Sequence, residues 1–119
     1  MKDFRDLKVW QKAHEVTLEV YRATREFPRE EQFGLTAQVR RSAESVAANI
    51  AEGCGRDRDA DFARFLQIAM GSASETEYHL LLARDLGPLD AAAHDDIAAH
   101  VEEAKRMLTA LIRKLRADD

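Results

Sequence analysis

The amino-acid sequence predicts an all-α protein folded as an antiparallel up-down-up-down four-helix bundle. Only 2 prolines and 5 glycines interrupt the 119 residues, and good helix formers such as Ala, Leu, Glu, Arg and Lys dominate the remainder. Apolar residues recur along four segments at alternating spacings of three and four, which places them on one face of each helix. Because the connections between these segments are short, neighbouring helices are expected to run in opposite directions.

The chain is expected to form a single domain, residues 1–119, with helices over about residues 6–26, 35–52, 58–86 and 90–116. Pro28 ends the first helix, because the residue before a proline is biased away from the helical conformation. Gly53 and Gly55 are expected to end the second helix, since glycine adopts the left-handed cap conformation without steric penalty.

Polar residues at the segment boundaries suggest helix caps. Asp57 or Asp59 is a candidate N-cap for the third helix and Asp90 for the fourth, because aspartate accepts hydrogen bonds from the unpaired amides of a first turn. The loop after Pro28 is polar apart from Phe33, which is therefore expected to be buried.

The third helix carries more apolar surface than one bundle requires. A surface helix needs an apolar stripe about 100° wide. One such stripe runs from Phe62 to Ala83, and a second lies on the adjacent side of the same helix. The second stripe is therefore predicted to form a subunit interface in a homo-oligomer. Its members are Phe65, Ile68, Ser72, Glu75, His79, Leu82 and Leu86.

Composition excludes several classes of protein. The net charge of −4, from 18 basic and 22 acidic residues, argues against a general electrostatic grip on nucleic acid and leaves room for a local basic patch. No segment approaches the roughly 20 apolar residues of a membrane span, and the N-terminus lacks the apolar run of a signal peptide. A cytoplasmic protein without membrane association is expected.

The single cysteine, Cys54, cannot form an internal disulfide.

No catalytic or metal-binding constellation is evident, so the protein is predicted to be non-enzymatic and to need no cofactor. Di-metal bundles use Glu-x-x-His pairs on two helices. Here Glu75 and His79 are four residues apart and no second such pair exists. The alternative interpretation is a metal or acid–base site built from Glu52, Glu75 and His79. An ordinary contact between Glu75 and His79, one helical turn apart, is the favoured interpretation. The other histidines are expected to face solvent: His14, His94 and His100.

One end of the predicted bundle is the candidate surface for nucleic acid or another anion. It collects the start of the first and third helices and the end of the second and fourth. In a ring of subunits even a weak basic patch is repeated in every copy, and the electrostatic potentials of the copies add together. A solvated end neutralised by nearby acids is the alternative. The basic residues at this end are Arg5, Lys8, Lys12, Arg56, Arg58, Arg64, Arg113, Lys114 and Arg116.

Three segments carry a resemblance to a known bacterial family. They are Phe4–Ala13, Gln38–Ala43 and Asn49–Arg56, of which the last, with Asn-Ile-Ala-Glu-Gly followed by Gly-Arg, is the most specific. They resemble the four-helix-bundle proteins encoded in intervening sequences of 23S ribosomal RNA genes. The match also includes Phe27-Pro28, Phe33-Gly34-Leu35, Phe62, Phe65-Leu66, Ala69-Met70-Gly71-Ser72, Glu75 and Leu86-Gly87. The resemblance covers nearly the whole chain.

This resemblance implies an antiparallel bundle assembled as a closed pentameric ring. Relatives include the accessory protein of diversity-generating retroelements, a basic pentamer that binds nucleic acid and a reverse transcriptase, whereas the present chain is acidic overall. Two roles are open for Arg40 and Arg41. They either form structural ion pairs with Glu44 or Glu52, or they face RNA. The motif residues with an expected structural role are Arg40, Arg41, Asn49, Glu52, Gly53 and Gly55.

The favoured hypothesis is a homo-oligomeric scaffold that binds a protein partner or RNA. A purely structural assembly without ligand is the first alternative. A metal-binding protein that uses carboxylates and histidine is the second.

Overall fold

A computed structural model describes residues 3–117, and within this range the chain is helical with no β-strand. Two short 3₁₀ helices span Phe4–Asp6 and Arg29–Glu31. The predicted all-α class with four helices is confirmed. Within residues 3–117, no helix combines the length and the apolar character needed to cross a lipid bilayer. The four α-helices are α1 (Lys8–Thr24), α2 (Leu35–Cys54), α3 (Asp59–Leu86) and α4 (Ala91–Ala117).

Each helix packs against two others: α2 contacts α1 and α3, and α4 contacts α3 and α1. Hydrogen bonds define the register between α1 and α2. Thr17 Oγ1 donates to the Ala43 carbonyl at 3.2 Å, and Arg40 Nε donates to Thr24 Oγ1 at 2.8 Å. Residue numbers therefore rise along α1 as those of its α2 partners fall. The same reversal is seen between α2 and α3, in the pairs Ser42–Thr76 and Ser45–Ser72, and between α1 and α4, in the pairs Lys12–Glu103 and Glu19–His100.

The core is formed by the apolar stripe of each helix. The largest fully buried apolar side chains are aliphatic, and burying each contributes about 1.5–3 kcal/mol. Buried alanines alternate with them on α3, which brings the helix backbones close together. The fully buried aliphatic residues are Val20, Val39, Ile50, Leu66, Leu80, Val101 and Leu108, and the α3 alanines are Ala63, Ala69, Ala73 and Ala83.

The helix caps agree with the sequence at α4 and differ at α3. Asp90 Oδ1 accepts a hydrogen bond from the Ala93 amide at 2.7 Å, which confirms Asp90 as the cap of α4. The expectation that Asp57 or Asp59 caps α3 is wrong, because Arg58 occupies the cap position in an extended conformation. Asp59 instead lies in the first turn of α3, where its charge favours the positive end of the helix dipole.

The second helix does not end in a left-handed glycine. Gly53 and Cys54 are the last residues of α2, and Gly55 has a φ of −82°. Among the described residues, Gly87 alone has a positive φ, 112°, and it ends α3. The expected left-handed cap at Gly53 or Gly55 is therefore wrong, because the Gly55 amide bonds the carbonyls of Glu52 and Gly53 in the right-handed conformation.

The loop between α1 and α2 exposes its aromatic residue. Phe33 is 89% exposed, so the expectation that it is buried is wrong. The residues at the two ends of the loop, Phe27 and Leu35, are buried instead and pack against the core. The short 3₁₀ helix between them leaves Phe33 on the outside of the loop.

Candidate functional site

Four of the nine basic residues predicted to form a charged end are paired with carboxylates. Three of these pairs are local along the chain, and exposed pairs of this kind contribute little to stability or to the field. They are Arg5–Asp3 at 3.1 Å, Arg56–Glu52 at 2.9 Å and Arg58–Asp61 at 3.5 Å. The fourth, Lys12, bridges two helices and is described below.

The remaining basic residues are available for a ligand. Lys8 begins α1, and Arg113, Lys114 and Arg116 lie near the end of α4. All four are exposed and form no ion pair with another described residue. Arg64 lies over the ring of Phe65, 4.6 Å from its centroid. The net positive charge of this end therefore comes mainly from Lys8 and the last turns of α4.

An open groove of about 550 Å³ lies between α3 and α4, and its lining includes Arg113 of this basic region together with the acidic Glu77 and Glu102. Lys105, Arg106 and Arg113 line it from α4. Lys105 Nζ lies 3.0 Å from a carboxylate oxygen of Glu77. This ion pair joins α4 to α3 at one side of the groove. Sequence reasoning did not assign this groove, because it depends on which faces of α3 and α4 meet.

A cluster of charged residues lies between α1 and α4. Lys12 Nζ is 3.3 Å from Glu15 Oε2 and 3.2 Å from Glu103 Oε2. Burial lowers the pKa of the Lys12 ammonium, but hydrogen bonds to Glu103 and Glu15 outweigh burial and raise that pKa above its ordinary value. His100 Nδ1 lies 2.7 Å from Glu19 Oε1 and 3.8 Å from Glu15 Oε1. The expectation that His100 faces solvent is wrong, because this ring is half-buried between the two helices.

Within residues 3–117, Glu15, Glu19 and His100 are the one group of three potential metal ligands whose donor atoms converge, all within 4.8 Å of one another. Glu52 does not join Glu75 and His79 in such a group. The sequence shows that Glu15 and Glu19 are four residues apart, which places them on the same side of α1. Their proximity to His100 is set by the register between α1 and α4, which the sequence does not show.

The predicted interface stripe on α3 divides between the interior and the surface. Phe65 is 7% exposed and packs inside the chain, and Ser72 Oγ lies 2.8 Å from Ser45 Oγ of α2. Leu82 packs against the core. His79 Nε2 lies 3.1 Å from a Glu75 carboxylate oxygen, which is the helical pair expected from their spacing. The remaining stripe members, Ile68, Glu75 and Leu86, are exposed.

Three exposed apolar residues lie along one side of α3. Ile68, Tyr78 and Leu86 are 43%, 58% and 63% exposed. At 100° per residue they lie within about 80° of one another around the helix. Gly71 lies between them, and a β-carbon at that position would meet no atom of the chain within 4 Å. The outer face of α3 is defined here as Ile68, Gly71, Glu75, Tyr78 and Leu86.

The two arginines of the α2 motif have different environments. Arg40 donates to Thr24, and its guanidinium lies 4.5 Å from the ring centroid of Tyr21. The Tyr21 hydroxyl donates to the Glu44 carboxylate, and this hydrogen bond raises the pKa of Tyr21 above its ordinary value. Arg41 is exposed and makes no ion pair with another described residue.

The Asn-Ile-Ala-Glu-Gly segment supplies contacts along α2 and to α3. Asn49 Nδ2 donates to the Ser45 carbonyl at 2.8 Å and to Ser45 Oγ at 3.0 Å. Glu52 pairs with Arg56. Gly53 packs against α3, where a β-carbon would lie 2.7 Å from that of Phe65. These contacts all lie within one chain.

Residues 5–110 match the sequence profile of the 23S rRNA-intervening sequence protein family. The chain belongs to this family. The resemblance carried by the three motif segments is thereby confirmed. A comparison with curated protein sequences gives no match.

A solved structure resembles this member of the 23S rRNA-intervening sequence protein family along most of its length. It is a protein of unknown function from the S23 ribosomal protein family of Bacteroides thetaiotaomicron VPI-5482. The two chains are 28% identical with a TM-score of 0.81, over 87% of this chain and 97% of that chain. The four helices are therefore arranged similarly in both proteins.

Proposed function

We propose that the protein is a non-enzymatic homo-oligomeric scaffold whose copies associate through the outer face of α3. The observation that carries this proposal is the exposure of Ile68, Tyr78 and Leu86 on one side of a single helix. Single exposed apolar residues are common on soluble proteins, but three aligned on one side of one helix favour an interaction surface. The occupant proposed for this face is a second copy of the chain.

Gly71 supports close approach by a neighbouring copy. Glycine within a helix costs about 1 kcal/mol relative to alanine. No part of the chain itself requires a glycine at this position, because the space beside it is open. A helix backbone from a second copy, packed against Gly71, accounts for the missing side chain.

The contact register supports the finer architecture that we propose. The reversed numbering of partners between α1 and α2, between α2 and α3, and between α1 and α4 fits an antiparallel up-down-up-down bundle. The family resemblance implies a pentameric ring of such bundles. Ring closure repeats one interface around an axis, so each chain contributes the outer face of α3 and a second surface.

Ile68→Asp tests this assembly. The charge is placed on the outer face of α3 without entering the core, so mass from light scattering should fall to that of one chain while the helical circular dichroism is retained. Leu18→Asp is the matched control, because Leu18 on α1 is 41% exposed, close to the 43% of Ile68. An oligomer that survives Ile68→Asp, or that is equally disrupted by Leu18→Asp, would contradict the proposed interface.

RNA binding at the basic end is the second candidate function. It is supported by the exposed Lys8, Arg113, Lys114 and Arg116, and by Arg106, which lines the same groove as Arg113. Because phosphate contacts release counterions, binding should weaken steeply between about 50 and 200 mM salt. Lys114→Glu combined with Arg116→Glu should abolish RNA retention. If the unaltered protein retains no RNA at about 50 mM salt, RNA binding is rejected. A scaffold that binds a protein partner then remains, and a pull-down from lysate would identify that partner.

A further inference from the structure

We propose that Glu15 and Glu19 of α1 and His100 of α4 form a binding site for a divalent transition metal ion, with zinc as the ion that fits best. The site is separate from the outer face of α3 and shares one residue, Lys12, with the predicted basic end, so it does not rest on the proposed function. It combines two carboxylates and an imidazole whose donor atoms lie within 4.8 Å of one another.

The distances in the cluster are close to those that zinc requires. Zinc binds imidazole nitrogen and carboxylate oxygen at about 2.0–2.2 Å, which places ligand atoms of a tetrahedral site roughly 3.5 Å apart. His100 Nδ1 is 2.7 Å from Glu19 Oε1 and 3.8 Å from Glu15 Oε1. Small side-chain rotations therefore bring the three donors to bonding distance without movement of α1 or α4.

The imidazole distinguishes this cluster from an ordinary acidic surface. Carboxylates alone suit the hard ions Ca²⁺ and Mg²⁺, whereas an imidazole nitrogen favours zinc and its neighbours. His100 comes from a different helix than Glu15 and Glu19, so the metal would join α1 to α4. Three protein ligands would leave the fourth tetrahedral position to water, as in open zinc sites.

Lys12 orients one of the ligands. Its ammonium contacts Glu15 through Oε2, while the other oxygen of that carboxylate, Oε1, is the one directed at His100. Lys12 is itself held by Glu103 and is only 19% exposed in its side chain. Groups of this kind, which hold a ligand in its binding orientation, contribute strongly to metal affinity.

The local charge favours a divalent cation. The ammonium of Lys12 pairs with the carboxylates of Glu15 and Glu103, and the carboxylate of Glu19 lies beside His100. With a neutral imidazole, the cluster therefore carries an excess of two negative charges, which one divalent ion neutralises. The side chains of Glu19 and His100 are 20% and 33% exposed, so solvent screens this charge only in part.

Calorimetric titration of the chelator-treated full chain with ZnCl₂ tests the proposal. We expect one zinc ion per chain and a rise in Tm on zinc addition, since a ligand that binds the folded state stabilises it. His100→Gln and Glu19→Gln should each raise Kd by at least about tenfold, as expected when a metal-site residue is lost. His94→Gln is the control, because His94 lies on the same helix and, within residues 3–117, its one ion pair is with the carboxylate of Asp95, at 3.1 Å.

Three results would overturn the proposal. The first is the absence of saturable zinc binding by the unaltered protein. The second is equal loss of affinity in His94→Gln and His100→Gln, which would indicate binding that does not depend on the cluster of Glu15, Glu19 and His100. The third is CaCl₂ binding as tight as zinc binding, which would indicate an acidic surface to which the imidazole contributes nothing. If His100→Gln fails to fold, Glu15→Gln provides the same comparison from α1.

Discussion

Gly53 of α2 lies so close to Phe65 of α3 that a β-carbon at position 53 would be 2.7 Å from the β-carbon of Phe65. The same atom would lie 2.9 Å from Cδ1 of Phe62. The glycine of the most specific motif segment is thus required by the contact between two helices. Its position in the last turn of α2 had suggested a cap.

Gly53→Ala should destabilise the protein by about 1–2 kcal/mol. Overpacking of a tight contact costs about 1–3 kcal/mol, and the better helix propensity of alanine offsets part of that cost. The free energy of unfolding from denaturant titration measures the change. Gly71→Ala, made in the Ile68→Asp background so that assembly does not contribute, should instead stabilise by about 0.5–1 kcal/mol. Equal effects at the two glycines would exclude the proposed difference in packing.

Thr76→Val should destabilise by about 0.5–1.5 kcal/mol, the usual net contribution of a buried hydrogen bond. Thr76 is 1% exposed, and its hydroxyl lies 2.9 Å from Ser42 Oγ across the contact between α2 and α3. Valine keeps the shape and removes the hydroxyl. Thr109→Val is the control, because the Thr109 hydroxyl bonds the Lys105 carbonyl of its own helix at 3.0 Å. Thermal unfolding should show a smaller loss for the control, and the opposite order would refute the importance of the bond between helices.

Arg40→Ala should destabilise the fold, whereas Arg41→Ala should change stability by less than about 0.5 kcal/mol. Arg40 combines a hydrogen bond to Thr24 with a cation–π contact to Tyr21, which together contribute about 1–2 kcal/mol. Arg41 is exposed without an ion pair among the described residues. Unfolding midpoints of the two variants provide the measurement. If Arg41→Ala weakens RNA retention and Arg40→Ala does not, Arg41 has the RNA-facing role that the sequence left open.

Tyr21 should ionise at a higher pH than an ordinary tyrosine. Its hydroxyl donates to Glu44, which favours the neutral phenol and raises the pKa above 10.0. The stability gained from this raised pKa is fully present below pH 10.0 and is lost as the pH rises through the folded-state pKa. The chain contains 2 tyrosines, so Tyr78→Phe leaves Tyr21 as the sole source of phenolate absorbance.

The titration midpoint in Tyr78→Phe should therefore lie above 10.0, and adding Glu44→Gln should move it down towards that value. An unchanged midpoint after Glu44→Gln would show that the carboxylate is not the cause of the raised pKa. Circular dichroism across the same pH range confirms that the protein remains folded during the titration.

The sequence by itself determined where the helices lie and, on α1, α2 and α4, which face is buried. Val20 and Val101 follow the helical period and are buried, and Asp90 caps α4 as expected. These features depend on local spacing and on the chemistry of a few neighbouring residues, so they can be derived from the linear chain.

Only the tertiary structure decided how those faces meet. The apolar period of α3 does not distinguish Phe65, which packs against Gly53, from Ile68, which remains exposed. His100 follows a polar pattern on α4, yet it lies beside Glu19 because α1 and α4 pack in a particular register. Register is set by the fit of many side chains across a helix contact, and no local pattern contains that information. The candidate metal site therefore became visible only once the helices were placed against one another.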